Sequence, residues 1–419
     1  MNETFYKILP NGVRIVYRQR PSEVVYLGIM VGAGTRDEKE EESGLAHYIE
    51  HCVFKGCKPF QNPLSNQGKE LTARDIIDQI EGVGGEINAY TTKEETTFYA
   101  ATPKRYWKRA LKLIASMILH PTFPKEETEK EVEVILDEIE SYEDSPSELI
   151  YDDFESLVFK GHPLARPILG TRKSVRALAK SKSIAQEFMA RNYTSDQMVV
   201  FAQGDVSLSQ LETLTNQLFK DIKAGGTSHA PYDAAPKEHE VRYKKHTHQV
   251  HVMLGGLAYP IGHKKQLALY LLNNILGGGS MSSKLNLLLR EKKGLVYTIE
   301  SQYTPLSDTG YWSIYFASDK KDKDECIRLI LGQLEAFRKH PISQHQLQKS
   351  LQQLHGQMAI SSENQENNAL AMAKLMLYHG CAPTWEETFR KIAQLTPDDL
   401  FDVAQEIFHP SNIYTLIYE

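Results

Sequence analysis

The alternation of hydrophobic and polar positions near the start of the chain predicts a β-hairpin. In YKILPNGVRIVYRQ, two apolar stretches surround Pro-Asn-Gly, whose residues supply the dihedral angles of a turn. The next run, VVYLGIMVGAG, is almost continuously apolar and ends in glycines. Such a run is typical of a strand that is covered on both faces or on most of both. We therefore expect the chain to begin with a β-sheet.

Helical and strand patterns are mixed along the rest of the first half. We predict a helix from about Ser43 to Phe54, with Ser43 as its N-cap after the acidic stretch EKEEE. Beyond it, the pattern predicts a helix over residues 71–82, strands at GGEINAYT and TTFYAAT, and helices over Lys104–Ile118 and from Lys125 to about Tyr142. Because strands and helices do not follow a strict βαβ alternation, the predicted fold class is α+β.

A polar segment divides the chain near its middle. Between Asp221 and Gln249 the sequence contains a Gly-Gly pair and two prolines and keeps little periodicity, which indicates a linker. Beyond it, QVHVMLGGLAYP is similar in pattern to VVYLGIMVGAG, and a helix, a Gly-rich turn, another helix and strands follow. This internal similarity predicts a duplicated domain of roughly 200 residues. A chain of 419 residues also favours two or more domains.

Composition and charge narrow the classes of function. A net charge of −6 argues against nucleic acid as the main partner, because neutralising phosphates requires a clustered excess of Lys and Arg. No segment approaches the ~20 apolar residues of a membrane-spanning helix, and the start of the chain lacks the basic and apolar runs of a targeting signal. Four scattered cysteines do not form a disulfide framework, so the predicted location is a reducing cytoplasm.

The string GLAHYIEH, residues 44–51, carries the most informative chemistry. Residues four apart on a helix lie one above the other, so His47 and His51 present their imidazoles to one point, with Glu50 beside them. Two such histidines and a third protein ligand can hold a zinc ion and leave a fourth position for water. Glu50 is then placed to accept a proton from that water rather than to bind the metal. This is the HxxEH arrangement, the inverse of HExxH.

Two other interpretations of this segment stay open from the residues alone. HxxEH also occurs by chance in solvated helices that carry two ordinary histidines. The neighbouring positions are apolar, however, and burying three polar side chains among them is costly unless they have partners. Cys52 and Cys57 lie close enough in sequence to be ligands, but their spacing is wider than in usual structural zinc sites and no second cysteine pair follows.

The third ligand is expected on another helix. In EKEVEVILDEI, residues 129–139, Glu131 and Glu138 are seven positions apart and share a helical face with Val134 and Ile135. We therefore predict that these two glutamates point inward. A solvated face is predicted for the remaining acidic residues, which are Glu127, Glu129, Glu133 and Asp137.

Several spaced motifs occur in the order of one peptidase family. HYIEH followed by CVFKG, then GGEINAYTTKEETTFYA, then EKEVEVILDEI resembles the pitrilysin, insulysin and mitochondrial processing peptidase family of zinc peptidases. GHPLARPILG and LLLREKKGLVY extend the resemblance over essentially the whole chain. The resemblance implies two homologous domains of mixed sheet and helices that face each other across a cavity. They would be an N-terminal zinc-binding catalytic domain over 1–220 and a C-terminal domain over 245–419, joined by a linker over 221–244.

The resemblance also implies roles for residues of the first domain. His47, His51 and Glu138 match the family's three Zn²⁺ ligands, and Glu50 matches its general base. Glu131 matches a second glutamate that supports the site, as carboxylates behind metal ligands do. The implied activity is that of a zinc metallopeptidase.

Substrate contacts are implied in both domains. Asn88, Ala89 and Tyr90 fall in the family's edge strand, to which a peptide substrate adds as an extra strand. Arg290 and Tyr297 match an arginine and a tyrosine that contact substrate near the scissile bond. Family members of this half-size commonly pair, so a homodimer, or a heterodimer with a related chain, is expected to admit unfolded peptides.

Two alternatives and one departure accompany the resemblance. The family includes members that keep the fold and lose the chemistry, so a non-catalytic scaffold or partner subunit is the second hypothesis. A zinc hydrolase acting on non-peptide substrates is the third. The interval between His51 and Glu138 is longer than is usual in the family, and the excess lies in KPFQNPLSNQGKELTARD, which has the composition of a surface loop.

Overall fold

Strands and helices are intermixed along the whole chain in the computed structural model, which describes residues 3–60, 69–178, 182–226, 231–232, 239–245 and 247–419. The predicted α+β class is confirmed. The strands are β1 Thr4–Ile8, β2 Arg14–Gln19, β3 Val24–Val31, β4 Gly56–Cys57, β5 Leu71–Thr72, β6 Glu86–Thr91, β7 Thr96–Pro103, β8 Met198–Gly204, β9 Glu240–Tyr243, β10 Val250–Leu257, β11 Val296–Pro305, β12 Gly310–Ser318 and β13 Tyr414–Tyr418.

The helices are distributed between the strands without regular alternation. They are α1 Leu45–Val53, α2 Ala73–Glu81, α3 Trp107–Leu119, α4 Lys125–Glu143, α5 Pro146–Val158, α6 Arg172–Leu178, α7 Lys182–Asn192, α8 Leu208–Phe219, α9 Gln266–Gly277, α10 Lys323–Lys339, α11 Gln344–Ser361, α12 Gln365–His379, α13 Trp385–Ile392 and α14 Pro397–Ile407. A π-helix spans Asn286–Lys292. In the part of the chain that the structure describes, no helix combines the length and apolar character needed to cross a membrane.

The first of two compact units contains Met1–Glu140, Arg166–Ala230 and Asn364–Pro383. Its six-stranded sheet has the order β1-β2-β8-β3-β7-β6, and neighbouring strands are antiparallel except β2 and β8. Lys7 of β1 lies opposite Ile15 of β2, so the predicted hairpin is confirmed. Among the described residues, strand β6 pairs with β7 alone and forms one edge of the sheet.

Strand β3 is covered on both faces, as its apolar run predicts. Ile29 belongs to the larger buried cluster, which includes Leu111 and Ile114 of α3. The next residue, Met30, points to the opposite face and joins a separate cluster with Met372 of α12. Both helices pack on β3. Alternate side chains of one strand therefore enter two different cores.

The second unit contains Ser141–Ala165, Pro231–Glu363 and Thr384–Glu419. Its five-stranded sheet has the order β11-β12-β10-β13-β9, and only β13 and β9 are parallel. Strand β9 lies inside the segment 221–244, which the sequence predicts to be a linker. Its partner β13 comes from the end of the chain, so this strand depends on a long-range pairing that local periodicity does not reveal.

Each unit includes a helix from the other half of the sequence. Helix α12 lies in the C-terminal half of the sequence but packs in the first unit. Helix α5 lies in the N-terminal half but packs in the second unit. The compact units thus differ from the contiguous ranges 1–220 and 245–419 in the segments 141–165 and 364–383. An amphipathic pattern indicates that a helix buries one face, but it does not identify the sheet that receives that face.

Candidate functional site

Helix α1 is held at its N-terminus by a glutamate that precedes it. The N-cap is Gly44 at φ 88°, so the prediction of Ser43 as the cap is wrong. The carboxyl oxygens of Glu38 accept hydrogen bonds from the backbone N–H of Gly44 at 3.0 Å and of Ala46 at 2.8 Å. A Cβ on Gly44 would lie 2.8 Å from the carbonyl oxygen of Leu169. Positive φ and this close approach together require glycine at the cap.

Three side chains converge on one point beside α1. Nε2 of His47 lies 3.7 Å from Oε2 of Glu138, and Nε2 of His51 lies 3.8 Å from the same oxygen. Among the described residues, His47, His51 and Glu138 are the one group of three or more histidines, cysteines or carboxylates whose ligand atoms all lie within 4.8 Å of one another. The structure therefore brings together the three residues predicted as metal ligands.

The chemistry of this donor set fits zinc. Ligand atoms arranged tetrahedrally around zinc at about 2.0–2.1 Å lie roughly 3.3 Å apart, close to the spacing found here. Burial, and then the neighbouring His51, lowers the pKa of His47 to about 3, so this imidazole is neutral as a metal ligand must be. The Glu138 side chain is 40 % exposed, which leaves one side of the cluster open.

A second glutamate of α4 supports the histidines from behind. Glu131 is buried, and its Oε2 lies 3.1 Å from Nδ1 of His51. Its other oxygen is 2.7 Å from Nζ of Lys55. The predicted inward orientation of Glu131 is confirmed, whereas Val134 is exposed instead of sharing that buried face. The helix turns about 100° per residue, and this places Ile135, rather than Val134, over the core.

The cysteine interpretation finds no support in the geometry. Cys52 and Cys57 are buried and do not belong to the cluster that the described residues form. Burial raises the pKa of each thiol to about 12. Protonated thiols in apolar surroundings are poor metal ligands, because the thiolate is the form that binds. Both residues instead belong to the core of the first unit.

Glu50 lies beside the cluster and outside the ligand set. Oγ1 of Thr91 donates a hydrogen bond to Oε2 of Glu50 over 2.6 Å. Burial raises the pKa of Glu50, and the Thr91 hydrogen bond opposes that shift. A carboxylate with a raised pKa is a stronger base than an ordinary glutamate, so its environment suits proton transfer. Thr91 was not predicted from the sequence, although it directly follows the Asn88-Ala89-Tyr90 motif.

The three residues predicted to bind substrate lie on an exposed sheet edge. Asn88, Ala89 and Tyr90 belong to β6, which pairs with no strand other than β7 in the part of the chain that the structure describes. An edge strand has unpaired backbone N–H and C=O groups on one side. Helix α1 packs against this same strand. The structure thus places a free strand edge next to the helix that carries the histidines.

Arg290 and Tyr297 are brought together in the second unit. Arg290 belongs to the π-helix Asn286–Lys292, and its guanidinium lies 5.6 Å from the centre of the Tyr297 ring. Tyr297 is the extra residue of a β-bulge, because Val296 pairs with Ser318 and Thr298 with the adjacent Ala317. Its side chain is 78 % exposed. Both π-helices and bulges re-aim side chains, and both are frequent near functional sites.

Comparisons of the sequence point to one family. The family model described as "Insulinase (Peptidase family M16)" matches residues 14–172, and the one described as "Peptidase M16 inactive domain" matches residues 182–354. The "uncharacterized zinc protease YmxG" of Bacillus subtilis is 29% identical over 97% of this chain and 96% of its own length. An "uncharacterized zinc protease" of Rickettsia felis is 29% identical over 96% of this chain and 94% of its own length.

Solved structures share the fold. A protease from Helicobacter pylori superposes with a TM-score of 0.88 at 23% identity, covering 100% of both chains. The peptidase M16 inactive domain from Pseudomonas fluorescens also gives 0.88, at 20% identity over 99% of this chain and 97% of that one. These two structural comparisons show the fold alone. The family is shown by the two family models, which together span most of the sequence. The chain therefore belongs to the M16 family of peptidases, of which it is a half-size member.

Proposed function

We propose that this chain is a zinc-dependent endopeptidase that hydrolyses unfolded peptides or presequence-like segments. The observation that carries the proposal is the convergence of His47, His51 and Glu138 on one point with Glu50 beside them. These three residues would hold the ion, and relatives named zinc proteases support its identity. Zinc, when bound, lowers the pKa of water and polarises a carbonyl group.

The chain's own residues supply the proton transfers and the orientation. Glu50 accepts the proton of the attacking water and later delivers it to the departing amine. Glu131 accepts a hydrogen bond from Nδ1 of His51, which leaves Nε2 of that ring free as a ligand. Lys55 balances the buried charge of Glu131.

Substrate binding follows from the edge strand. An extended peptide adds to β6 beside Asn88, Ala89 and Tyr90, using backbone hydrogen bonds that tolerate many sequences. A folded protein has few extended segments with free backbone groups, so unstructured peptides are the preferred substrates. Arg290 and Tyr297 are proposed to contact substrate carbonyls near the scissile bond and to donate to the developing oxyanion.

The test is a pair of variants assayed on a mixed pool of unstructured peptides. We expect Glu50→Gln to retain stoichiometric zinc and to lose cleavage, because only the proton acceptor is removed. Glu41→Gln, at an exposed position before α1, is the matched control and keeps full activity. Products are identified by mass spectrometry with and without a chelator. Cleavage by Glu50→Gln at the wild-type rate would falsify the assignment of the base.

A non-catalytic subunit is the second candidate. The match of residues 182–354 to a model described as an inactive domain favours it, because that half could belong to a scaffold. A scaffold binds no stoichiometric zinc and cleaves no peptide in the same assay. A zinc hydrolase of non-peptide substrates would instead bind zinc and leave every peptide intact.

Assembly and location belong to the same proposal. We propose a homodimer in the cytoplasm, and the cysteines among the described residues are free thiols, as suits a reducing compartment. Sedimentation velocity over a range of protein concentrations tests the dimer. Mixing the chain with candidate related chains before sedimentation distinguishes a heterodimer.

A further inference from the structure

Thr91 makes the one hydrogen bond that the Glu50 carboxylate receives from the described residues. Glu50 is on α1, whereas Thr91 is the last residue of β6, so the contact joins the helix of the ligands to the edge strand of the sheet. We infer that Thr91 is a positioning residue, which sets the direction of the Glu50 carboxylate for proton transfer. This inference rests on the proposed peptidase function.

The backbone of Thr91 is held in place by the sheet. Thr91 lies opposite Thr96 in the β6–β7 pair, and their Oγ1 atoms are 3.5 Å apart. Thr96 is buried, and its Oγ1 donates to the carbonyl oxygen of Ala33 at 2.9 Å. The turn that follows Thr91 is closed by the bond from Thr92 N–H to the Glu95 carbonyl at 2.8 Å. Thr91 therefore donates to Glu50 from a fixed position on the backbone.

A fixed donor matters because a glutamate side chain is flexible. Ordering such a side chain costs conformational entropy, and a hydrogen bond to a charged group offsets that cost. The contact engages Oε2 of Glu50, and Oε1 accepts no hydrogen bond from the described residues. One oxygen is thus anchored while the other is available to accept a proton.

The position of Thr91 also connects base and substrate. It directly follows Asn88, Ala89 and Tyr90, so one strand would both pair with the peptide and orient Glu50. A shift of this strand by one ångström would move the anchored oxygen with it. Misplacement on that scale costs about 10²-fold in rate. The geometry therefore assigns Thr91 to catalysis through Glu50, without contact with the reacting atoms.

Three variants of the full chain test the assignment. Thr91→Val removes the hydroxyl at nearly constant volume, and Thr91→Ser keeps a hydroxyl. Thr102→Val makes the same change at a buried position of β7, where the one hydrogen-bond partner of the hydroxyl among the described residues is the Pro103 carbonyl, at 3.5 Å. The zinc content, kcat and KM of each are measured on an unstructured peptide, and crystal structures locate Glu50.

We expect Thr91→Val to lose about 10- to 100-fold in kcat with KM and zinc content unchanged, and its crystal to show Glu50 turned away from β6. Thr91→Ser should recover most of kcat, and Thr102→Val should match wild type. The inference is overturned if Glu50 keeps its original place in the Thr91→Val crystal. It is also overturned if kcat of that variant is unchanged, or if only its KM changes. If wild-type protein cleaves no peptide, the proposed function fails, and the crystal position of Glu50 alone decides the role of Thr91.

Discussion

The Glu131 carboxylate lies 3.1 Å from Nδ1 of His51, while Nε2 of the same ring lies 3.8 Å from Glu138. The His51 ring therefore lies between the supporting carboxylate of Glu131 and Glu138, the proposed third metal ligand. This relationship gives Glu131 a measurable role that is separate from proton transfer.

Removing the charge of Glu131 should weaken metal binding. A carboxylate behind a ligating histidine fixes its tautomer and raises its basicity, and losing such a partner typically costs about 10- to 100-fold in metal affinity. We expect Glu131→Gln to show this loss in competition titrations with a zinc chelator. Glu133→Gln, an exposed change on the same helix, is the control. Equal affinities for Glu131→Gln and wild type would remove Glu131 from the site.

Glu38 should make the stability of the first unit depend on pH. Burial raises the pKa of Glu38 from an ordinary value of 4.5 to about 8. Hydrogen bonds from the Ala46 and Gly44 N–H groups and the charge of Arg166 lower this pKa but do not cancel the effect of burial. The folded protein holds this proton at pH values where the unfolded chain has released it. The contribution of Glu38 to stability is therefore full below about pH 4.5 and is lost as pH rises towards 8.

Glu38→Gln imitates the protonated acid and cannot ionise. We expect the free energy of unfolding of the variant, minus that of wild type, to become more positive as pH rises from about 5 to about 8. Urea titrations at several pH values measure this difference. A difference that stays constant across the range contradicts the raised pKa. Glu40→Gln, at an exposed position, should show no such trend.

The hydroxyl of Tyr378 should contribute to holding α12 on the first unit. It donates to the Glu95 carboxylate, whose side chain is only 2 % exposed and also lies 2.7 Å from Nζ of Lys374. Tyr378→Phe leaves part of a buried charge unpaired, which should lower the free energy of unfolding by about 1–3 kcal/mol.

An exposed tyrosine on the same unit provides the comparison for that measurement. The Tyr6 hydroxyl donates to the Ala382 carbonyl at 3.0 Å, and this residue is 45 % exposed. Because water can replace that bond, Tyr6→Phe should cost less, about 0.5–1 kcal/mol. Denaturant titrations that give equal losses for the two variants would show that burial of Glu95 does not set the effect.

Tyr297 should affect turnover without affecting the metal. The Arg290 guanidinium lies 5.6 Å from the centre of its ring, and its side chain is 78 % exposed at a β-bulge. If its hydroxyl donates to the developing oxyanion, Tyr297→Phe should lower kcat by about 10²-fold or more and leave zinc content unchanged. Tyr243→Phe, at another exposed tyrosine of the second unit, is the control. Full activity of Tyr297→Phe would exclude the proposed donation.

Local periodicity was sufficient to predict much of the candidate site. His47, Glu50 and His51 share a helical face because of their spacing, and any α-helix through them produces that face. Glu131 and Glu138, seven residues apart, follow from the same rule on α4. The sheet edge at β6 is different, because an edge is defined by the absence of a neighbouring strand, which the residues of β6 do not encode.

The sequence by itself determined the class of the fold, the helix of the histidines and the acidic helix that carries the proposed third ligand. Tertiary structure decided that Gly44 rather than Ser43 is the N-cap of α1, with the Glu38 side chain accepting from its N–H, and that Thr91 holds Glu50. It also decided that α12 packs in the first unit and α5 in the second. The physical reason is the range of the interactions. Hydrophobic spacing selects which side chains share a surface, whereas the partner of that surface depends on packing between segments far apart in the chain.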